Sequence, residues 1–228
     1  MLSGCGHTFS FRYRLTLEVE TPEGIKTGTG VLECNASSSE DTSFKGFGGA
    51  GGYIRGEAIT VDLGKRGVMF ALLIKIEKIG EYTNYEYAFN LPIYVTKRAG
   101  LAIDGRRARP PRYNLFTDYV REVAGVQGKL RVEVSDLPTL VRFRDVNDST
   151  SVEQVDPFDL AVAFGPGVRW RSITLEMTDG PVTTGIEKKL TWLPSLPTVL
   201  GGQPGKEYGP SATLANSLNS RSFVRKDN

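Results

Sequence analysis

The sequence predicts a mainly β protein, a β-rich α+β fold whose antiparallel strands form a sandwich or open barrel with one or two short helices. Three observations point there. Residues Phe9 to Val19 alternate, with Phe11, Tyr13, Leu15, Leu17 and Val19 on one face and Arg12, Arg14, Thr16 and Glu18 on the other, the period of a half-buried strand. The 26 glycines and 12 prolines in 228 residues favour many turns and short strands over long helices. Apolar residues at 39% and charged residues at 24% are the mixture of a packed globular chain, and no run of about 18 apolar residues is present to span a bilayer.

The elements follow in order. Thr21-Pro22-Glu23-Gly24 supplies turn chemistry, so Ile25 to Glu33 returns as the hairpin partner of the first strand. Between residues 35 and 52 serines and then glycines dominate, which predicts a flexible loop. A phosphate cradle is disfavoured there because no Gly-Lys-Ser or Gly-Lys-Thr follows. Tyr53 to Leu63 and Val68 to Glu77 read as strands joined by Gly64-Lys65-Arg66-Gly67. The second is apolar on both faces and is expected at the centre of a sheet. Tyr82, Tyr85, Tyr87, Phe89 and Tyr94 form a looser aromatic segment, read as a strand covering the core or an interaction surface, with packing on the core or its rim as the expected role.

Leu115, Phe116, Tyr119, Val120 and Val123 recur with helical spacing and predict a helix from Asn114 to Ala124, stopped by Gly125. Short strands are expected at Lys129 to Val134 and Leu140 to Phe143. Asp145-Val146-Asn147-Asp148-Ser149 lacks the glycine and terminal glutamate of a calcium loop and reads as a turn. Asp156-Pro157-Phe158 reads as an N-cap with proline at the first helical position, opening a helix that ends at Phe164. Val168 to Met177 alternates with a one-residue phase change near Ser172, which a bulge would absorb. Asp179-Gly180 then turns the chain, and Pro181 to Trp192 brings it back. From about residue 195 the Pro-, Gly- and Ser-rich composition predicts a poorly ordered tail. The expected division is residues 1–7 as a lipobox remnant and tether, 8–194 as a single β-rich domain, and 195–228 as the tail.

Leu2-Ser3-Gly4-Cys5 matches the bacterial lipobox, in which the cysteine is lipidated and becomes the mature N-terminus. A lipobox is preceded by a basic segment and about 7–15 apolar residues, so the motif is expected to belong to a longer precursor. Cys5 is then the lipid anchor and Cys34 has no partner. A Cys5–Cys34 disulfide, or two free thiols in a reducing compartment, are the alternatives. With 28 Lys+Arg against 26 Asp+Glu the net charge is +2, which excludes a globally basic polyanion binder and disfavours nucleic acid as a partner. A local cluster remains. Lys97, Arg98, Arg106, Arg107, Arg109 and Arg112 face only Asp104 in their stretch, and are candidates for contact with an anionic surface if not simply a solvated loop.

Chemistry is sparse. His7 is the sole histidine and lies next to the anchor, so a Ser-His-Asp or Cys-His arrangement is not expected. There is no Gly-x-Ser-x-Gly elbow, and two cysteines and one histidine leave a zinc site short of ligands. No cofactor is expected. Carboxylate pairs such as Glu57 with Asp62, or Glu176 with Asp179, are the remaining catalytic candidates, with solvated strand faces as their simpler reading.

Phe11-Arg12-Tyr13-Arg14-Leu15-Thr16, Gly56-Glu57-Ala58-Ile59-Thr60-Val61-Asp62-Leu63, and Phe164 to Trp170 continuing through Thr178 to Leu190 resemble an uncharacterised family of small proteobacterial envelope lipoproteins. The resemblance spans most of residues 5–194 and names no activity. It implies a location on the periplasmic side of the cell envelope. Gly6 rather than aspartate after the cysteine implies outer-membrane sorting. The expectation is therefore a non-catalytic envelope protein with a binding or structural role, held at the membrane by an N-terminal lipid and meeting an envelope protein or glycan. Its rivals are a carboxylate-dependent hydrolase or sugar-active enzyme, and a cytosolic or phage-encoded protein with an accidental lipobox.

Overall fold

The computed structural model describes residues 7–38, 50–101, 115–196 and 198–226. The chain is mainly β, 40% strand against 24% helix, and its sheets are antiparallel. The strands are β1 (His7–Thr21), β2 (Gly24–Ser38), β3 (Ala50–Glu57), β4 (Ile59–Asp62), β5 (Val68–Ala71), β6 (Lys75–Lys78), β7 (Tyr82–Asn84), β8 (Leu130–Arg131), β9 (Leu140–Phe143), β10 (Val152–Val155), β11 (Arg169–Met177) and β12 (Val224–Arg225). Five short helices accompany them: α1 (Tyr87–Arg98), α2 (Leu115–Ala124), α3 (Leu160–Phe164), α4 (Leu214–Ser217) and α5 (Ser220–Phe223).

A six-stranded sheet runs in the order β12-β3-β2-β1-β11-β8, and a four-stranded sheet in the order β10-β9-β5-β4. The alternation of the first strand sets the packing: Tyr13, Leu15, Leu17 and Val19 are buried, while Arg12, Arg14, Thr16 and Glu18 point outward. The inward face is covered at the hairpin end by Ile59 and Val61 of β4 and Met69 and Ala71 of β5, and elsewhere by α1 and α2, all in one apolar cluster. Gly28 and Gly30 make the sheet contact possible. A Cβ on Gly28 would lie 2.4 Å from the Thr60 carbonyl oxygen, and one on Gly30 would lie 2.6 Å from Ile59.

The opposite face of the four-stranded sheet is also buried. Phe70, Val141 and Phe143 form a second core with Ile186, Leu190, Leu200, Leu218 and Phe223. The expected tail is therefore incorrect for the described residues beyond 195, which close this core and return to the large sheet as β12, where Val224 pairs with Glu57. Their composition is turn-rich, but a few widely spaced apolar residues are enough to seal a sheet face.

Several boundaries differ from expectation for physical reasons. Tyr53 to Leu63 is two strands in two sheets: β3 ends at Glu57, just after Gly56 at φ +141°, and β4 begins at Ile59. Val68 to Glu77 likewise splits into β5, which is central in its sheet as expected, and β6. The loop expected at residues 35–52 is shorter, since β2 runs to Ser38 and β3 starts at Ala50, and its remainder lies outside the described residues. Most of the aromatic segment is helix α1 and not a strand, with Tyr87 and Phe89 in the core. α3 starts later than expected: Asp159 caps it by accepting from Ala161 N, whereas Asp156 accepts from Phe158 N in a local turn. Residues 181–192 form no strand. They cross the large sheet as a strap tied by Thr183 N to Val31 O at 3.0 Å. The bulge falls where the phase change placed it, with Glu18 opposite Ser172 and Val19 opposite Trp170.

Candidate functional site

Of the residues singled out by sequence, Cys5, Arg106, Arg107, Arg109 and Arg112 lie outside the described residues. Lys97 and Arg98 occupy the last turn of α1, where cations favour the helix dipole. Arg98 is engaged within the molecule, 2.6 Å from the Asp136 carboxylate. Three of the carboxylate candidates each hold another partner. Buried Glu57 accepts from Ile186 N at 2.8 Å, Asp62 holds Lys189 at 2.8 Å, and Glu176 holds Arg14 at 2.7 Å. Among the described residues no three His, Cys, Asp or Glu side chains come together as metal ligands would, and no helix is long and apolar enough to cross a membrane. Cys34 is a buried free thiol, and burial, reinforced by the charge of Glu33, pushes its pKa well up.

The structure instead assembles a groove on both sides of β12. A cavity of about 520 Å³ is lined by Tyr53 and Ile54 of β3 together with Leu193, Pro194 and Leu196. A second, of about 430 Å³, lies between Arg12, Arg55 and Glu57 and the strap residues Pro181 to Thr184. Both are lined by Val224, Arg225 and Lys226.

Sheet register explains how distant residues meet. On the outer face Arg12, Glu33 and Arg55 stand side by side in one row across β1, β2 and β3. The row before it is Ser10, Asn35 and Tyr53, and the one before that is Thr8, Ser37 and Gly51. Glu33 lies 2.6 Å from Arg12 and 3.1 Å from Arg55. Burial alone would raise the pKa of Glu33, but the Arg12 bond and the two guanidinium charges hold it below the ordinary carboxylate range. Lys226 meets Glu187 at 2.6 Å, which raises the pKa of the amine. Arg225 is bound to backbone and not to a carboxylate in its closest contacts: Nε donates to Arg221 O at 2.8 Å and Nη2 to Tyr85 O at 3.1 Å. Burial pulls its pKa down, the mark of a partly desolvated cation.

Sequence reading missed this groove because its cations come from positions 12, 55 and 221–226. Arg12 and Arg55 read as ordinary outward members of strands, and Arg221, Arg225 and Lys226 as part of a polar tail. The local signal that was present is the outward placement of Arg12 between Phe11 and Tyr13.

The fold and groove define a class, a β protein of two larger antiparallel sheets and a small one of β6 and β7, with a surface cleft rich in cations. No family profile, curated protein or solved structure matches the chain.

Proposed function

We propose that this is a non-catalytic binding protein of the bacterial cell envelope, held at the membrane by a lipid on Cys5 of a longer precursor, and that it takes an anionic ligand in the groove around β12. The observation that carries the binding role is the groove's charge. Its lining residues include the cations Arg12, Arg55, Arg221, Arg225 and Lys226 against the carboxylates Glu57 and Glu187, and Glu33, bridging Arg12 and Arg55, brings the balance to five cations against three carboxylates. A walled cleft with an excess of one sign concentrates ligands of the other. Both lining carboxylates already hold a partner, Ile186 N for Glu57 and Lys226 for Glu187, which favours binding over acid–base work. The Leu2–Cys5 motif and the resemblance to envelope lipoproteins support the location.

Citrate, a small tricarboxylate, probes the groove. Titrated into isotope-labelled protein, it should move the amide resonances of residues 12, 55, 183–184 and 224–226 together. Shifts scattered over the surface, or none, would overturn the binding role. Feeding labelled palmitate to cells that make the precursor tests the anchor: wild type should take up label and Cys5→Ala should not, and equal labelling would sink it.

A further inference from the structure

The groove does not end at its cations. Tyr53 is 53% exposed and borders both the larger cavity and a shallower one of about 140 Å³ with Thr8, Ser10, Asn35 and Ser37 on its wall. The register places these groups in successive rows of one sheet face, with hydroxyls and an amide first, the exposed ring beside them, and the row of Arg12, Glu33 and Arg55 next. Rows two residues apart are separated by roughly 7 Å, so the strip is about 14 Å long from Thr8 to Arg12. It continues around Arg225 and Lys226.

Each part of this strip selects a chemistry. An exposed tyrosine ring with polar groups at its border offers an apolar face to the C–H surface of a sugar ring and a hydroxyl for its edge. Short hydroxyl and amide side chains match a ligand that is itself dense in hydroxyls. The guanidinium groups of Arg12 and Arg225 already donate from Nε, to Glu33 and to Arg221 O, and keep further N–H groups that can donate to a carboxylate. An acidic peptide would dock best by adding a strand, but beside the cations, at Gly56 and Glu57, the edge of β3 is taken by β12. A single-stranded nucleic acid needs successive aromatic platforms, and this strip presents Tyr53 alone among its described residues.

We propose that the strip and groove bind a linear acidic glycan, with a sugar ring laid on Tyr53 and its carboxylates directed to Arg12 and Arg225. This rests on the anion-binding reading above and adds the identity of the ligand class.

The test is titration calorimetry of the protein with a hexameric oligogalacturonate, its methyl-esterified form, poly-L-glutamate, and vesicles containing phosphatidylglycerol. Oligogalacturonate should bind, and esterification should abolish binding. Tyr53→Ala should weaken binding about tenfold while Tyr53→Phe retains most of it. Lys226→Gln, a change at an exposed pair, should weaken binding without altering Tm, and Tyr82→Ala, at an exposed ring outside the groove, should leave affinity unchanged. The glycan assignment is overturned, and anion binding in the groove stands, if poly-L-glutamate or vesicles bind with Lys226 dependence while oligogalacturonate does not. Undiminished oligogalacturonate binding by Tyr53→Ala overturns it as well. If none of the four probes binds, both readings fall.

Discussion

Tyr13 shows how one residue answers a backbone problem set elsewhere. Pro92 lies inside α1 and has no N–H, so the carbonyl of Ala88, four residues earlier, lacks its helical donor. The Tyr13 hydroxyl donates to that oxygen at 2.7 Å from the middle of β1. Burial, and secondarily the nearby Cys34, push the phenol pKa well up, so the donor keeps its proton. Tyr13→Phe leaves a buried carbonyl unpaired and is expected to cost about 1–3 kcal/mol in urea unfolding. A change within a few tenths would show that water serves the carbonyl equally well. Arg66 works similarly on three turns. It holds Glu23 at 2.9 Å and donates to Phe164 O, joining the β1–β2 turn, the β4–β5 hairpin and the end of α3. The Arg66 bond is the chief reason that the Glu23 pKa falls to about 2. The folded pKa lies below the ordinary value, so the pair stabilises the fold fully above pH 4.5 and its contribution is lost as pH falls toward 2. Glu23→Gln should lower the urea midpoint at pH 6, and the offset should vanish as pH falls through 2. An offset that persists in acid would assign the effect to packing.

At the level of elements, most of the strands were legible because a period of two is a local property. β1 and β11 lie where alternation put them, and the phase slip near Ser172 marked the bulge. α2 was readable by the same kind of rule, from its helical spacing. Several elements were not, among them β10, α1 and those of the C-terminal segment. α1 carries Tyr87, Ala88, Phe89, Leu91, Ile93 and Val95 buried along nearly its whole length, which erases the amphipathic period that reveals a helix. The segment beyond 195 has turn composition throughout, yet Phe223 is fully buried, with its ring centroid 6.1 Å from Trp192 and 6.5 Å from Phe70. Phe223→Ala is expected to cost about 3–5 kcal/mol, read from the shift in denaturation midpoint. A cost below about 1 kcal/mol would mean that the C-terminal segment contributes little to the second core.

For the whole molecule the controlling feature is a four-stranded sheet buried on both faces. β5 sends Met69 and Ala71 into the core beneath the large sheet and Phe70 into the core closed by the C-terminal segment. Neither core can open without baring the other's sheet, so the two should unfold together. Trp170 packs on the first and Trp192 on the second, while Cys34 lies fully buried in the first. In a Cys5→Ala background, the denaturant midpoint for Cys34 labelling should coincide with that for tryptophan fluorescence. Labelling that precedes the fluorescence change would instead reveal separate opening of the helical cover over Cys34.

Alternation, turn residues and helical spacing by themselves determined the β-rich class, the inward and outward faces of β1, the central place of β5 and the position of the bulge. These depend on neighbours a few positions apart, where backbone geometry fixes which side chains share a face. The pairing order of the large sheet, the sealing of its four-stranded partner by the C-terminal segment, and the meeting of Arg12, Arg55, Arg225 and Lys226 in one groove were decided only by tertiary structure. Long-range strand order follows from which buried surfaces fit together, and residues more than a hundred positions apart become neighbours with no local pattern to announce it.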